Sequence, residues 1–228
     1  MNYLLHTLHP ALFFDHKKRT GTAWGLDFFH LNPGSLDKVR GPYCVWMAMV
    51  ILGYISEETV VGLHYSLRSH FQTVWYQTAA PFIDGTEEQN MQKLLGSLSE
   101  FITFSKASGK SSNLLEFVSD RVHRSQLVLV AFQEKQTPCK RWALVVGLEG
   151  RWNDKTSRFS DLVCLDPDED AQPLIPFNAR MERYSSRPTC RTFRYLTAGG
   201  EVMRIELTSA FALMPLPRRK QAPACTVT

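Results

Sequence analysis

The side chain best placed for chemistry is Cys44, which opens an unbroken apolar run over residues 44–52 (CVWMAMVIL), directly after Gly41, Pro42 and Tyr43. A thiol in the first turn of a helix lies in the positive end of the helix dipole, and that field favours the nucleophilic thiolate. Such a nucleophile needs a base to take its proton and a third group to orient the base. Asp166 lies in an LDP turn after the short strand-like run 162–165 (LVCL), downstream of the Cys44 helix and the further helices. The base is harder to find. His6, His9, His16, His30, His64, His70 and His123 are scattered along the chain. His30 lies in a turn-rich segment that can fold toward Cys44, which makes it the candidate for a recruited base. The bland alternatives are a small buried hydrophobe at Cys44 and surface imidazoles at the histidines.

These residues have to be positioned by a scaffold, and the patterning describes one. Residues 1–40 alternate Gly and Pro with aromatic residues and read as an irregular or short-strand lead-in. Residues 44–52 read as a buried helix, on the strength of Ala48, Met47 and Met49. A second helix is expected from Ser56, with Val60, Leu63 and Leu67 on its apolar face. Further helices are expected over 87–104 and 113–122, with 105–112 (SKASGKSS) as a loop. After residue 125 the character changes. Runs at 127–132, 142–148, 162–165, 192–196 and 202–207 are rich in β-branched and aromatic residues and are separated by turn signals. Helices first and strands afterwards predict an α+β domain with an antiparallel sheet in the C-terminal half.

Composition supports a single folded domain, expected over 1–214, with 215–228 as a flexible tail. Apolar residues make up 44 % and charged residues 21 % of the chain, ordinary values for a globular protein. The formal net charge of +4 is spread along the sequence. The basic clusters at 17–19 and 218–220 are too short to indicate nucleic acid. Cys44, Cys139, Cys164, Cys190 and Cys225 are odd in number and contain no CxxC, which argues against a disulfide framework and a structural zinc site. No cofactor or metal is expected; the DPDED run at 166–170 lacks the glycine and later glutamate of a calcium loop and reads as a solvated turn. No segment has the form of a signal peptide or a membrane span. A cytoplasmic, reducing-compartment protein is the resulting expectation.

Three segments in order carry a resemblance. GPYCVWMAMVILGYISEET resembles the nucleophile helix of the double-glycine leader peptidases, bacteriocin-processing members of the papain-like cysteine peptidase superfamily. LVLVAFQEKQTPCKRWALVVGLEG resembles that family's strand pair, and LVCLDPDED its strand and Asp-Pro. The resemblance implies a papain-like fold with Cys44 at the start of the central helix and Asp166 as third catalytic residue. It also implies a histidine where Arg141 stands, directly before Trp142. A guanidinium cannot act as the base, since it stays charged at all accessible pH. An Arg there would instead pair with Asp166, or lower the pKa of a nearby thiol. The family's oxyanion-stabilising Gln is missing too, with Lys38 or Asn32 as substitute donors.

The implied function is a catalytically degenerate peptidase-like domain that binds a peptide or protein in the groove between helices and sheet, with Arg141, Trp142 and Lys38 as binding residues. Two alternatives stand beside it: an active cysteine peptidase or acyl transferase using Cys44 with His30 and Asp166, and a bacterial effector or accessory protein whose fold frames an interaction surface. Nucleic acid is not an expected partner.

Overall fold

An apolar run without alternation, such as LVLVAF at 127–132, is stable as a strand only where both its faces are covered. The computed structural model describes residues 3–15, 20–23, 26–27, 40–56, 60, 86–109, 111–134, 140–153, 156–170, 172, 175–183 and 192–217. In chain order its elements are β1 (Tyr3–Leu8), β2 (Leu12–Asp15), β3 (Thr20–Ala23), β4 (Leu26–Asp27), α1 (Arg40–Ile51), α2 (Glu88–Ser97), β5 (Ile102–Ser108) and α3 (Ser111–His123). Then follow β6 (Leu127–Glu134), β7 (Lys140–Asn153), β8 (Thr156–Leu165), β9 (Ala179–Arg183), β10 (Thr192–Thr197) and β11 (Val202–Pro215). The apolar run is β6, and its first six residues are all buried.

The strands form a closed ring. β6 pairs with β7 on one side and β11 on the other; β11 passes to β10, β10 to β9, β9 to β8, and β8 returns to β7. Every pairing is antiparallel, and the result is a six-stranded barrel. Two long strands, β7 and β11, make the closure and also extend it. Along one side β7 pairs first with β6 and then, over 147–152, with β1. Likewise β11 pairs with β10 over 202–206 and with β5 over 209–215. The end of the β1–β7 pairing requires a glycine: a Cβ at Gly147 would land on the Thr7 carbonyl oxygen and within 2.8 Å of Val163. A separate small sheet holds β2, β3 and β4.

Strand alternation divides the apolar residues between two cores. Val128, Val130, Ala143, Val145, Cys164 and Phe193 point into the barrel, where α3 adds Leu114, Leu115, Val118 and Val122. Leu127, Leu129, Trp142, Leu144, Phe211 and Leu213 point outward onto α1 and α2. Helix α1 is therefore enclosed: Gly41, Pro42, all of 44–49 and Ile51 are buried. This explains its all-round apolar sequence.

The α+β composition stands, but the papain-like arrangement does not. The antiparallel sheet expected beside a helical half closes on itself instead, because β9 bridges β8 and β10 and the second half of β7 takes up β8. The helical half is also interrupted: the helix expected over 87–104 ends at Ser97, and the supposed loop begins inside β5. Of the helix expected from Ser56, only Ser56 and Val60 are described, and the Val60 N–H donates to the Ser56 carbonyl at 3.2 Å; the residues between them, Leu63 and Leu67 lie outside the described residues. The tail expected from 215 is anchored at its start, since the Leu216 N–H donates to Phe101 O and its carbonyl accepts from the Tyr54 hydroxyl. Among the described residues no helix is long and apolar enough to cross a membrane.

Candidate functional site

On β7, Arg141 shares the inward parity of Ala143 and Val145; on β10, Tyr195 shares that of Phe193. Asp166 follows Leu162 and Cys164 in the same alternation. The three side chains meet at the barrel mouth. The Tyr195 hydroxyl donates to Asp166 Oδ2, and Arg141 Nη2 lies 3.5 Å from the same oxygen. The guanidinium also sits over the rings of Phe132 and Tyr195, 5.9 and 5.8 Å from their centroids. Its Nη1 donates to the Met203 sulfur at 3.4 Å.

The turn after β8 is built around the same carboxylate. Asp166 Oδ1 accepts the Asp168 N–H at 2.9 Å, the local closure typical of an aspartate turn. Asn178, itself buried, locks the turn by accepting the Asp166 N–H (2.7 Å) and donating to the carbonyls of Asp166 and Glu169 (2.9 and 3.0 Å). Asp168 then bonds Arg141 Nη2 at 3.2 Å and pairs with Arg40, the first residue of α1. Two arginines and two aspartates thus balance in charge while joining α1, β7, β10 and the turn after β8. The run at 166–170 is not a solvated turn at its start, because Asp166 has no exposed surface.

Cys44 lies beside this cluster, fully buried and unoxidised, as does Cys164. Helix α1 begins four residues earlier than the apolar run suggests, so the thiol stands one turn inside the helix, where the dipole field has fallen off. Burial pushes the Cys44 thiol well above its ordinary pKa, and the charges of Asp166 and Asp168 push it further; Arg40 opposes them only in part. Burial, assisted by Asp166, does the same to Cys164. Asp166 is itself raised by burial, against the opposing pull of Arg141 and the Tyr195 hydrogen bond. Tyr195 is raised well above the usual phenol value by burial and by the Asp166 charge. A protonated thiol among carboxylates is the opposite of an activated nucleophile.

The structure therefore brings Cys44, Asp166 and Arg141 together but gives them a different role from the one expected. The Arg141–Asp166 pair is present; the lowered thiol pKa is not. His30 and Lys38 lie outside the described residues, as do His64 and His70. Of the described histidines, His9 accepts the Ala11 N–H on Nδ1 at 3.2 Å, and His123 Nδ1 lies 2.7 Å from Ser119 O. Trp142 does not line a groove: it is 1 % exposed and donates Nε1 to Thr86 O at 2.6 Å. Tyr195, Asp168, Asn178 and Arg40 were missed. Strand parity carried a signal for Tyr195 and Arg141, since both fall in line with the buried positions of their strands.

A different feature is open to solvent. On the outer wall beside β9 a cleft of about 240 Å³ is lined by Ile175, Phe177, Arg180, Leu196 and Ala198, among others. Arg180 lies over the Phe177 ring, 5.7 Å from its centroid, and its Nε is 3.1 Å from the buried Glu149. Ile175 stands at the cleft with 39 % of its surface exposed.

No protein-family model and no curated protein matches the chain. The resemblance to double-glycine leader peptidases is thus corrected on two grounds: no family match carries it, and the ring of six paired strands is a different architecture. The peptidase and acyl-transferase readings, degenerate or active, fall with it. Among the described residues no nucleophile, base and orienter are assembled, and no group of three His, Cys, Asp or Glu has metal-holding geometry.

Proposed function

We propose that the chain is a binding domain without a catalytic step, and that it takes up a peptide or a protein segment at the cleft beside β9. The observation that carries this reading is a contrast in accessibility. The residues with chemical potential are buried and tied to one another, whereas the cleft is open and has an apolar lining broken by Gln172, Asn178, Arg180, Glu182 and Thr197. A concave, mostly apolar site with a few fixed polar groups is the usual form of a recognition pocket. Its volume suits one large side chain better than an extended ligand. In this reading the ionic cluster at the barrel mouth is a structural clasp that fixes α1 and the turn leading to the cleft.

Selection of peptides from a random displayed library, using the folded protein as bait, tests the proposal. Ala198 is exposed at the cleft, so Ala198→Phe fills it from the rim without disturbing either core. Selected peptides are expected to bind the native protein and Cys44→Ala equally and to lose Ala198→Phe. Equal binding to the cleft-filled variant, with its melting temperature unchanged, would remove the cleft from consideration.

A further inference from the structure

The cleft and the wall beyond it indicate what kind of segment binds there; this step rests on the cleft being the binding site. Among the described residues two large apolar side chains stand exposed, Ile175 and Val202. Both belong to this place. Ile175 lines the cleft, and Val202, 58 % exposed, lies directly opposite the lining residue Leu196 across the β10–β11 pair. Leu196 in turn stands opposite Arg180 on β9. Single apolar residues scattered over a surface are ordinary, whereas a contiguous set marks a contact site. Val202 therefore carries the apolar surface one strand beyond the cleft, a step of about 4.8 Å from Leu196.

The charges around this surface are answered within the protein. Arg180 Nε lies 3.1 Å from the buried Glu149, Glu182 pairs with Arg194, and Glu169 Oε2 accepts the Gly199 N–H at 3.2 Å. Arg204, two residues beyond Val202, has an interaction of its own. Glu201 shares the strand parity of Met203, whose sulfur meets Arg141 on the barrel-mouth side. Arg180 and Glu182 line the same cleft two residues apart on β9, so a carboxylate brought there meets Glu182 and an ammonium meets Arg180. Gln172 adds an uncharged amide that both donates and accepts, as a peptide backbone requires. From this arrangement we infer that the partner is an uncharged apolar peptide segment with two large apolar side chains on one face. The first enters the cleft against Leu196 and Phe177, and the second packs on Val202. In an extended segment, residues two apart share a face at about 6.8 Å, a reach that carries across Leu196 to Val202.

Fluorescence anisotropy with five short peptides, blocked at both ends, tests the inference. The first carries one phenylalanine in a background of serine and asparagine. The second adds a leucine two residues on; the third places that leucine next to the phenylalanine, on the opposite face of an extended chain. The last two repeat the second between glutamates or between lysines. The proteins are the native chain, Val202→Ser, Val202→Leu and Ala198→Phe, each checked by thermal melting. The second peptide is expected to bind tightest, to be unaffected by salt, and to lose about fivefold in affinity in Val202→Ser. Val202→Leu should bind it as the native chain does, and the first peptide should not distinguish Val202→Ser from native. Tighter binding of the glutamate or lysine peptide, weakening with salt, would overturn the uncharged partner and leave the cleft reading standing. Equal binding of the first three peptides, unchanged in Val202→Ser, would overturn the second contact and likewise leave the cleft. Full binding of the second peptide to Ala198→Phe would overturn the cleft and, with it, the seating inferred here. Sedimentation showing dimers of the native chain, lost in Val202→Ser and in Ala198→Phe, would make the occupant a second copy of this chain and overturn the peptide partner. Binding by none of the probes would overturn both readings.

Discussion

Tyr195 donates its phenolic hydroxyl to Oδ2 of Asp166, a carboxylate with no exposed surface, and the Arg141 guanidinium covers the ring of the same tyrosine. The barrel mouth is closed by this contact. A carboxylate so deeply buried is tolerated because hydrogen bonds and an opposite charge reach it together.

Removing the charge partner should expose that dependence. Arg141→Met keeps the apolar stem but leaves Asp166 facing only its hydrogen-bond donors, and a loss of about 3 kcal/mol is expected in urea unfolding. Arg141→Lys should lose part of this, because an ammonium cannot lie flat on Phe132 and Tyr195. A loss below about 0.5 kcal/mol for Arg141→Met, the scale of an ordinary surface substitution, would mean the cluster is not a clasp.

The pH dependence of Asp166 has an unusual sign. Burial raises its folded-state pKa above the ordinary carboxylate value, so between the ordinary value and the folded one the native state holds a proton that the unfolded state has released. Stability then falls as pH rises through this window and recovers on acidification to its lower edge. A carboxylate with a depressed pKa behaves the other way. Asp166→Asn should abolish this component, visible as a changed slope in the difference between native and variant unfolding free energies from pH 3 to 7. Identical slopes would contradict the assignment.

Cys44 and Cys164 should resist iodoacetamide at neutral pH in the folded protein and react fully in denaturant. Both thiols are buried and held protonated by their surroundings. Peptide mapping by mass spectrometry reads the two sites separately. Fast native labelling of Cys44 would show that the barrel mouth opens far more readily than the clasp implies.

Two glycines should respond in opposite directions. Gly147→Ala drives a methyl into the Thr7 backbone at the end of the β1–β7 pairing, with an expected cost of about 1–3 kcal/mol. Gly96, in the last turn of α2, has nothing within 4 Å of the position its Cβ would take. There Gly96→Ala should stabilise by about 0.5–1 kcal/mol through helix propensity and a less flexible unfolded chain. Thermal melts of the two variants provide the comparison.

The sequence made the strands easier to see than their closure. Runs such as 127–132 and 142–148 announce themselves by β-branched content, and all five expected runs lie within strands. β5 was hidden because Leu94, Leu95 and Leu98 set a helical rhythm that runs straight into Ile102, although the helix ends at Ser97. Closure depends on which strand edges meet, and β9, with alternating burial and only five residues, gave too short a pattern to suggest the missing link between β8 and β10. At the site, Cys44 was singled out by residue type and placement, and Arg141 and Asp166 by the resemblance to the peptidase family; the three do meet. Their role was misread because the charge environment of a thiol depends on burial and on Asp168 and Arg40, which no local pattern connects.

The position of β11 in the ring has a consequence for how the chain reaches its native state. It lies between β6 and β10, so every other barrel strand precedes in sequence the one that joins them. Until residues 202–215 arrive, the other five strands can form only an open arc whose two ends are bare edges rich in unpaired backbone groups. Such edges template intermolecular pairing. Aggregation is therefore favoured in the interval before β11 has paired with both edges, and the β10–β11 hairpin acts as the latch that ends that exposure.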